Sequence, residues 1–283
     1  MTSEKLSFTK LHGLGNDFIL FVDDNKTDYF ALADKLCSRK LGIGADGLLI
    51  VCSSDIADIK MRIINSDGSE AQMCGNGIRC FSKYVYEHGI VNKSSFTIET
   101  LAGIMTPTLK INNGMVESVR VNMGKPSFEA KSLPMLFDGQ FLQNKIKACN
   151  VTLTATAVLM GVPHLIVFDA PNDMKLLEQI GDALEHHELF PERTNADFVK
   201  VIDRQNISIL TWERGCGFTL ACGTGSCASV VACIKAGLVD NKVCVHHKVG
   251  SLMIELADNG TVFMTGEAKE VFSGSFDKRV FID

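Results

Sequence analysis

The sequence predicts an α+β protein of two pseudo-symmetric domains, each a mixed, curved, barrel-like sheet that closes around a central helix. The first observation behind this prediction is an internal repeat, because Cys74-Gly75-Asn76-Gly77 returns 148 positions later as Cys222-Gly223-Thr224-Gly225. The second is the distribution of apolar residues, which alternate over many short runs and follow helical spacing over only a few. Together they favour two copies of one sheet-rich domain.

Further matches keep the order of this repeat. They pair residues 13–14 with 161–162, 89–92 with 237–240 and, after a few residues of drift, Ala45-Asp46 with Ala196-Asp197. One such match would be noise, but several in the same order indicate a duplicated domain. The predicted domains are residues 1–122, with residues 267–283 returning to them, and residues 123–266.

The elements follow from local apolar patterns. Predicted strands cover residues 6–11, 17–22, 47–51, 59–64, 96–100 and 115–121 in the first half, and 165–169, 198–202, 207–212, 251–256 and 261–264 in the second. Predicted helices cover residues 28–40, 76–88, 172–187 and 224–236. The second and fourth helices start directly after the two Cys-Gly motifs. Both are too apolar to face water on most sides, so we expect a sheet to wrap each of them.

Composition excludes several classes of function. The net charge of −5 and the lack of a basic stripe argue against a nucleic-acid partner, and no apolar run reaches the ~20 residues of a membrane span. The polar start of the chain does not resemble a secretory signal. Ten cysteines without such a signal favour free thiols in a reducing, cytoplasmic compartment. We therefore expect a protein that acts on a small molecule.

The two Cys-Gly motifs can support proton transfer at carbon. A cysteine just before a helix lies beside unpaired backbone N–H groups, which lower the pKa of its thiol. The same N–H groups can bind a carboxylate and stabilise the charge that develops when its α-carbon is deprotonated. Inverting a stereocentre requires a base on one face and an acid on the other. Two such cysteines, one on each side of a cleft, would supply both groups.

Several segments carry a resemblance to a known family. They are KLHGLGNDF (10–18), GIGADG (42–47), NSDGSEAQMCGNGIRC (65–80), MGVPH (160–164), FPERTNADF (190–198), ERGCGFTLACGTGSCAS (213–229) and MTG (264–266). These segments resemble diaminopimelate epimerase over essentially the whole chain, and both cysteine motifs occur in order. Proline racemases and hydroxyproline epimerases share that fold, but their first motif has His where this chain has Asn76.

The resemblance implies a diaminopimelate epimerase-like fold and an epimerase without cofactor or metal that converts LL-diaminopimelate to the meso form. It implies a homodimer in the cytoplasm. Cys74 and Cys222 would be the acid and base, supported by His164 and Glu213. The substrate-binding residues implied by the same motifs are Asn16, Asn65, Gly75, Asn76, Asn195, Glu213, Arg214, Gly223 and Thr224. Arg214 suits the distal carboxylate and Glu213 the distal ammonium.

Three positions depart from the family. Val162 stands where many members have Asn, Gly47 where some have Gln, and Phe272 where several have a Tyr at the dimer contact. The first two changes put recognition of the distal end of the substrate in doubt, and the third removes a possible hydrogen bond between subunits.

Simpler interpretations of single residues remain open. Asn16 and Asn65 suit turns, His164 suits a loop, and Glu213 beside Arg214 suits a solvated ion pair. Two other functions also remain open. One is a racemase of another amino acid, such as glutamate or histidine, and the other is a non-catalytic binding protein or thiol sensor.

Overall fold

The computed structural model describes residues 5–280 of the chain. Its strands are β1 (Lys5–Gly13), β2 (Asn16–Val22), β3 (Gly47–Cys52), β4 (Ile59–Asn65), β5 (Glu70–Ala71), β6 (Ile98–Thr100), β7 (Gly103–Met105), β8 (Thr108–Asn112), β9 (Met115–Asn122), β10 (Asn144–Ala148), β11 (Val151–Met160), β12 (Val162–Val167), β13 (Asn195–Asp203), β14 (Asn206–Glu213), β15 (Gly217–Thr219), β16 (Lys242–His247), β17 (Gly250–Leu256), β18 (Val262–Gly266) and β19 (Lys269–Asp277). Its α-helices are α1 (Tyr29–Cys37), α2 (Gly75–Glu87), α3 (Met174–Glu185) and α4 (Gly223–Lys235), and short 3-10 turns cover Ala130–Ser132 and Lys278–Val280.

The chain forms two compact units. One consists of Met1–Val121 with Gly266–Asp283, and the other of Asn122–Thr265. We call them the first and the second unit.

The first unit is built on a mixed sheet. Its strand order is β19-β1-β2-β3-β4-β6-β7, with β5 beside β4. The antiparallel β8–β9 hairpin follows in the chain and is not part of this sheet. The β2–β3 and β4–β6 pairs are parallel and the other pairs are antiparallel. Along this path the described strands end at β19 and β7, so the sheet is curved and open rather than a closed barrel.

Both faces of this sheet are covered by helices. The core between α1 and the sheet includes Ile19, Leu48 and Ile50. On the opposite face, Phe18 and Leu49 lie against Gly77 of α2. Because successive side chains of a strand point to opposite faces, β3 and the part of β2 from Phe18 onward are apolar without interruption. The predicted central helix is confirmed as α2, whose apolar side chains are fully buried (Ile78, Cys80, Phe81 and Val85).

The second unit repeats this plan. Its sheet has the order β10-β11-β12-β13-β14-β16-β17-β18, with β15 beside β14. The β12–β13 and β14–β16 pairs are parallel, at the same places in the connectivity as the parallel pairs of the first unit. The apolar helix α4 packs on the face of β11, β12 and β17, and α3 belongs to a separate core with Leu177, Ile180 and Leu184. The prediction of two α+β halves around central helices is therefore confirmed.

One predicted helix is shorter than expected. The sequence predicts residues 28–40, whereas α1 ends at Cys37. The backbone N–H groups of Ile43 and Gly44 both donate to the carbonyl of Leu36, at 3.0 Å each, and so fold the following loop back over the end of the helix. Within residues 5–280 no helix has the length and apolarity that would carry it across a bilayer.

Candidate active site

Cys74 lies at the N-terminal cap of α2 in the first unit. Its backbone is extended, and its Sγ accepts a hydrogen bond from the N–H of Gly77 at 3.3 Å. The thiol also donates to Oδ1 of Asn16 at 3.6 Å. Gly75 and Asn76 form the first turn of the helix, where backbone N–H groups lack partners within the helix. The structure thus brings Cys74, Asn16, Gly75 and Asn76 together.

A polar network holds this group in place. Asp46 Oδ2 accepts from Nδ2 of Asn16 at 2.7 Å, which orients the Asn16 carbonyl toward the thiol. The fully buried Arg79 donates to Oδ1 of Asn76 at 2.9 Å and to the carbonyl of Gly75 at 3.0 Å. The start of α2 is therefore fixed by a buried cation from its own second turn.

Cys222 occupies the matching cap of α4 in the second unit. Its Sγ accepts from the N–H of Gly225 at 3.4 Å, and the hydroxyl of Thr224 lies 3.4 Å from the sulfur. Gly223 starts the helix. Gly225 is required here, because a Cβ at this position would collide with the carboxylate of Asp197. Both predicted cysteines therefore sit at the N-caps of the two central helices.

His164 is held by a buried carboxylate near this cap. Its Nδ1 lies 2.7 Å from Oδ2 of Asp197, and both side chains are fully buried. The other oxygen of Asp197 accepts from the hydroxyl of Thr211 at 2.6 Å. His164 Nε2 lies 3.5 Å from Nδ2 of Asn195. Because Asn195 Oδ1 accepts from the N–H of Arg214 at 2.8 Å, the amide presents a donor to His164, an arrangement that suits the tautomer with its proton on Nδ1.

The thiol of Cys222 differs from the expectation in its proton affinity. A cysteine at a helix N-terminus is predicted to have a lowered pKa. Burial, followed by the nearby charges of Glu213 and Asp197, instead raises the pKa of Cys222 well above its ordinary value. Burial also raises the pKa of the Glu213 carboxyl, and the charge of Asp197 adds to this shift. The expectation was wrong for Cys222 because desolvation and two carboxylates outweigh the helix N-terminus.

Asn195, Glu213 and Arg214 form the edge of this second group. Glu213 is half-buried and accepts from the Thr219 hydroxyl at 2.5 Å. Arg214 is exposed and one end of its guanidinium donates to the carbonyl of Glu192 at 2.9 Å. Asn195 is buried, and both ends of its amide have partners within the protein, His164 and the N–H of Arg214.

Asn65 is the remaining residue predicted for the site, and Gly47 and Val162 are two of the positions that depart from the family. Asn65 ends β4, is exposed and donates to Ser69 Oγ at 2.9 Å, without a hydrogen bond to the Cys74 group among the contacts described. Gly47 faces it across the β3–β4 pair, and a Cβ at Gly47 would lie 2.8 Å from the carbonyl oxygen of Ile64. Gly47 is therefore fixed by packing in this chain. Val162 is half-buried at the start of β12, on the same face as His164.

Asp46 and Asp197 are not among the residues predicted for the site. The signal for them was present, because Ala45-Asp46 and Ala196-Asp197 belong to the internal repeat. Asn16 and His164, which these aspartates bind, are related by the offset of 148 residues that also relates the cysteines. The repeat of both residue pairs, with a drift of three residues at the aspartates, thus marked a repeated contact. In the part of the chain from residue 5 to residue 280, no cluster of three or more His, Cys, Asp or Glu side chains could hold a metal ion.

Comparison with known proteins places both cysteine groups in one family. The family model described as diaminopimelate epimerase matches residues 8–129 and 156–271, which contain both groups. The chain belongs to the diaminopimelate epimerase family. It is 50% identical over 273 residues to the diaminopimelate epimerase of Caldanaerobacter subterraneus, covering 96% of this chain and all of that one. It is 46% identical over 275 residues to that of Clostridium perfringens, covering 96% of this chain and 99% of that one.

Solved structures show how widely the fold of this family is shared. A Bacillus anthracis phenazine biosynthesis protein of the PhzF family superposes with a TM-score of 0.71 at 16% identity, covering 96% of this chain and 99% of that one. A hydroxyproline epimerase from Agrobacterium vitis superposes with a TM-score of 0.69 at 14% identity, covering 96% of this chain and 92% of that one. At such identities the likeness concerns the fold, so function must be argued from the site.

Proposed function

We propose that this protein converts LL-diaminopimelate to meso-diaminopimelate by acid–base catalysis with Cys74 and Cys222. The observation that carries the proposal is the repeated helix cap in a member of this family. In each unit a cysteine directly precedes a helix, and its sulfur accepts a hydrogen bond from the backbone N–H of the residue three positions later. A sulfur that accepts such a bond is well placed to carry the negative charge of a thiolate.

The proton inventory of the proposed reaction is as follows. One cysteine thiolate removes the proton from the α-carbon and becomes a thiol, leaving a carbanion delocalised into the carboxylate. The other cysteine donates its thiol proton to the opposite face and becomes a thiolate. Because the pKa of Cys222 is raised, Cys222 holds its proton in the free protein and acts as the acid in the first turnover. Cys74 is then the base, after its thiol has released to solvent the proton that it donates to Asn16 Oδ1 in the structure.

Substrate recognition follows from the same groups. The N–H groups of Gly75, Asn76, Gly223 and Thr224 at the helix starts suit the reacting carboxylate. Asn16 and Asn65 of the first unit, and Asn195 and Glu213 of the second, are proposed contacts of the remaining polar atoms. Arg214 is exposed and has donors left for the distal carboxylate.

The proposal includes the setting in which the reaction takes place. All ten cysteines are free thiols, which suits a reducing cytoplasm. We propose a homodimer with a small-molecule substrate, and a reaction that needs neither pyridoxal phosphate nor metal. Activity that survives dialysis against a chelator and hydroxylamine would support this chemistry, and activity that is lost and restored by a metal would contradict it.

Proton exchange in deuterium oxide tests the proposal directly. LL-diaminopimelate should gain deuterium at an α-carbon and yield the meso form, whereas glutamate, histidine and proline should stay unlabelled. Cys74→Ser and Cys222→Ser should each leave at most a trace of epimerisation, because a hydroxyl is a far weaker acid and base at neutral pH. Cys149→Ser, at an exposed thiol, is the matched control and should be fully active. Labelling of glutamate or histidine alone would identify a racemase, and no exchange with any amino acid would identify a binding protein.

A further inference from the structure

Glu185 is a buried carboxylate outside the proposed chemistry. It is the last residue of α3, and only 3% of its surface is exposed. Its Oε2 accepts the indole N–H of Trp212 at 2.8 Å. Its Oε1 accepts the backbone N–H of Gly215 at 3.0 Å and a guanidinium N–H of Arg193 at 3.3 Å. Both oxygens therefore serve donors from other parts of the chain.

These bonds tie together two loops of the second unit. Arg193 belongs to the loop before β13, and Gly215 to the turn between β14 and β15 that carries Arg214. Arg193 and Gly215 have positive φ values of 64° and 76°. A residue with a side chain, such as Arg193, adopts this conformation only when the surrounding structure enforces it. The guanidinium of Arg214 donates to the carbonyl of Glu192 in the first of these loops at 2.9 Å. The Glu185 carboxylate thus holds two loops at a fixed distance: the turn that contains Arg214, and the loop whose Glu192 carbonyl binds the Arg214 guanidinium.

The position of Glu185 is itself fixed by packing. Gly181, one turn earlier in α3, lies so close to Trp212 that a Cβ there would be 2.7 Å from Cδ2 of the indole. The indole also packs edge-on against Phe218, with ring centroids 5.3 Å apart. Although burial favours the neutral acid, hydrogen bonds from Trp212 and Gly215 hold the pKa of Glu185 below its ordinary value. The group is therefore ionised at neutral pH.

We propose that Glu185 is a positioning residue for substrate binding, which presents Arg214 to the distal end of the substrate by clamping the Glu213–Gly217 turn to the loop of Arg193. This inference rests on the proposed function, because it takes Arg214 to bind the distal carboxylate. It predicts an effect on binding without an effect on the chemistry at the α-carbon, since Glu185 contacts neither thiol in the hydrogen bonds described.

The chain contains a matched control. Glu87 is the last residue of α2, as Glu185 is the last residue of α3. Its Oε1 also accepts one backbone N–H, from Val116 at 2.7 Å, and one cation, Lys83 at 2.7 Å. The hairpin that it anchors carries none of the proposed site residues. A purely structural role would make the two glutamates behave alike.

The test compares Glu185→Gln with Glu87→Gln in the full-length protein. Trp212 and Gly215 donate to different oxygens of Glu185, and a glutamine places an NH2 group at one of these positions, where it faces another donor. We expect Glu185→Gln to raise KM for LL-diaminopimelate about tenfold with kcat within about twofold, and Glu87→Gln to change neither. Trp212 is the only tryptophan, so acrylamide quenching of its fluorescence measures how accessible the indole becomes when the Glu213–Gly217 turn loosens. Quenching should increase in Glu185→Gln only.

Each other outcome has a defined meaning. Unchanged KM in an active Glu185→Gln, a loss of kcat alone, or an equal change in Glu87→Gln overturns the positioning role. If Glu185→Gln does not fold by circular dichroism, Glu185→Asp keeps the charge and should show a smaller rise in KM; an unaltered KM there overturns the proposal. If the wild-type protein has no epimerase activity, the proposed function fails by itself, and unaltered quenching in Glu185→Gln then overturns the clamp independently.

Discussion

At the scale of single residues, the two cysteine groups use one device in two environments. An aspartate binds one polar side chain of each group: Asp46 binds Asn16, and Asp197 binds His164, each at 2.7 Å. The Asp46 side chain is 41% exposed and shares the exposed Arg39, whereas Asp197 and His164 are fully buried. Water and the Arg39 cation screen the first contact, and the second lacks this screening. We therefore expect substitutions of Asp197 to lower activity more than substitutions of Asp46.

Asp197→Asn should lower kcat about tenfold or more, because an asparagine can donate to Nδ1 of His164 and so favour the wrong tautomer. The proton would move to Nε2, which faces the donor Nδ2 of Asn195. Steady-state kinetics with LL-diaminopimelate measure the effect. Asp203→Asn, at an exposed turn, is the control and should retain full activity. A kcat unchanged in Asp197→Asn would show that the orientation of His164 has no part in the reaction.

Val162→Asn should lower KM for diaminopimelate by up to about tenfold with kcat nearly unchanged, because one neutral hydrogen bond contributes about 0.5–1.5 kcal/mol. Val162 is half-buried at the start of β12, so an asparagine can reach solvent or a ligand. Activity on analogues altered at the distal ammonium should fall relative to diaminopimelate. A variant that lost kcat at constant KM would place Val162 beside the reacting carbon, contrary to its proposed role.

The sequence predicts the residues of the site better than it predicts their surroundings. Cys74 and Cys222 are marked by a repeated motif, and their places at helix caps follow from the glycines after them. The raised pKa of Cys222 could not be predicted in the same way, because it depends on burial and on Glu213 and Asp197, which tertiary structure brings to the thiol. Proximity in space has no local signature in the sequence.

At the scale of elements, several of the missed strands are very short or have a weak apolar pattern. The predictions omit β5, β7, β8, β10, β11, β15, β16 and β19. In β11, threonines alternate with buried small residues such as Ala155 and Ala157, so the apolar face is inconspicuous. Most of β19 is exposed, and the apolar face of its sequence KEVFSGSFD is limited to Phe272 and Phe276, which pack against Phe8 of β1. Its strand conformation depends chiefly on pairing with β1, which the sequence of β19 does not reveal.

Asp173→Ala should destabilise the protein by about 1 kcal/mol, because Asp173 caps α3 through the backbone N–H groups of Lys175 and Leu176. Urea unfolding measures the change in free energy. Asp182→Ala on the same helix is the control, since its carboxylate is exposed and pairs only with the exposed His186, a contact expected to contribute little. Equal losses for both variants would mean that charge on α3, rather than the cap, determines stability.

At the scale of the whole molecule, buried thiols make stability depend on pH. Burial raises the pKa of Cys80 and of Cys233 to about 12 and that of Cys37 to about 11. An unfolded thiol titrates near ~8.5. Between these values the unfolded chain loses protons that the native protein keeps, so the free energy of unfolding falls as pH rises.

The urea concentration at the midpoint of unfolding should therefore decrease steadily as the pH rises from about 7.5 to about 10. Cys80→Ala combined with Cys233→Ala should flatten this slope, even though the cavities lower stability at every pH. Cys149→Ser, at an exposed thiol, should leave the slope as it is. A slope unaffected by the double variant would assign the alkaline loss to lysines or tyrosines instead.

The order of synthesis bears differently on the two units. The second is continuous in the chain, Asn122–Thr265, so all of its strands have left the ribosome once the exit tunnel has been cleared. The first unit is discontinuous, because its edge strand β19 pairs with β1 from Lys5 to His12 although the whole second unit lies between these strands in the chain. During synthesis β1 therefore lacks β19 until the strands of the second unit have been made. During that interval one side of β1 is an open sheet edge, and only the arrival of β19 covers it.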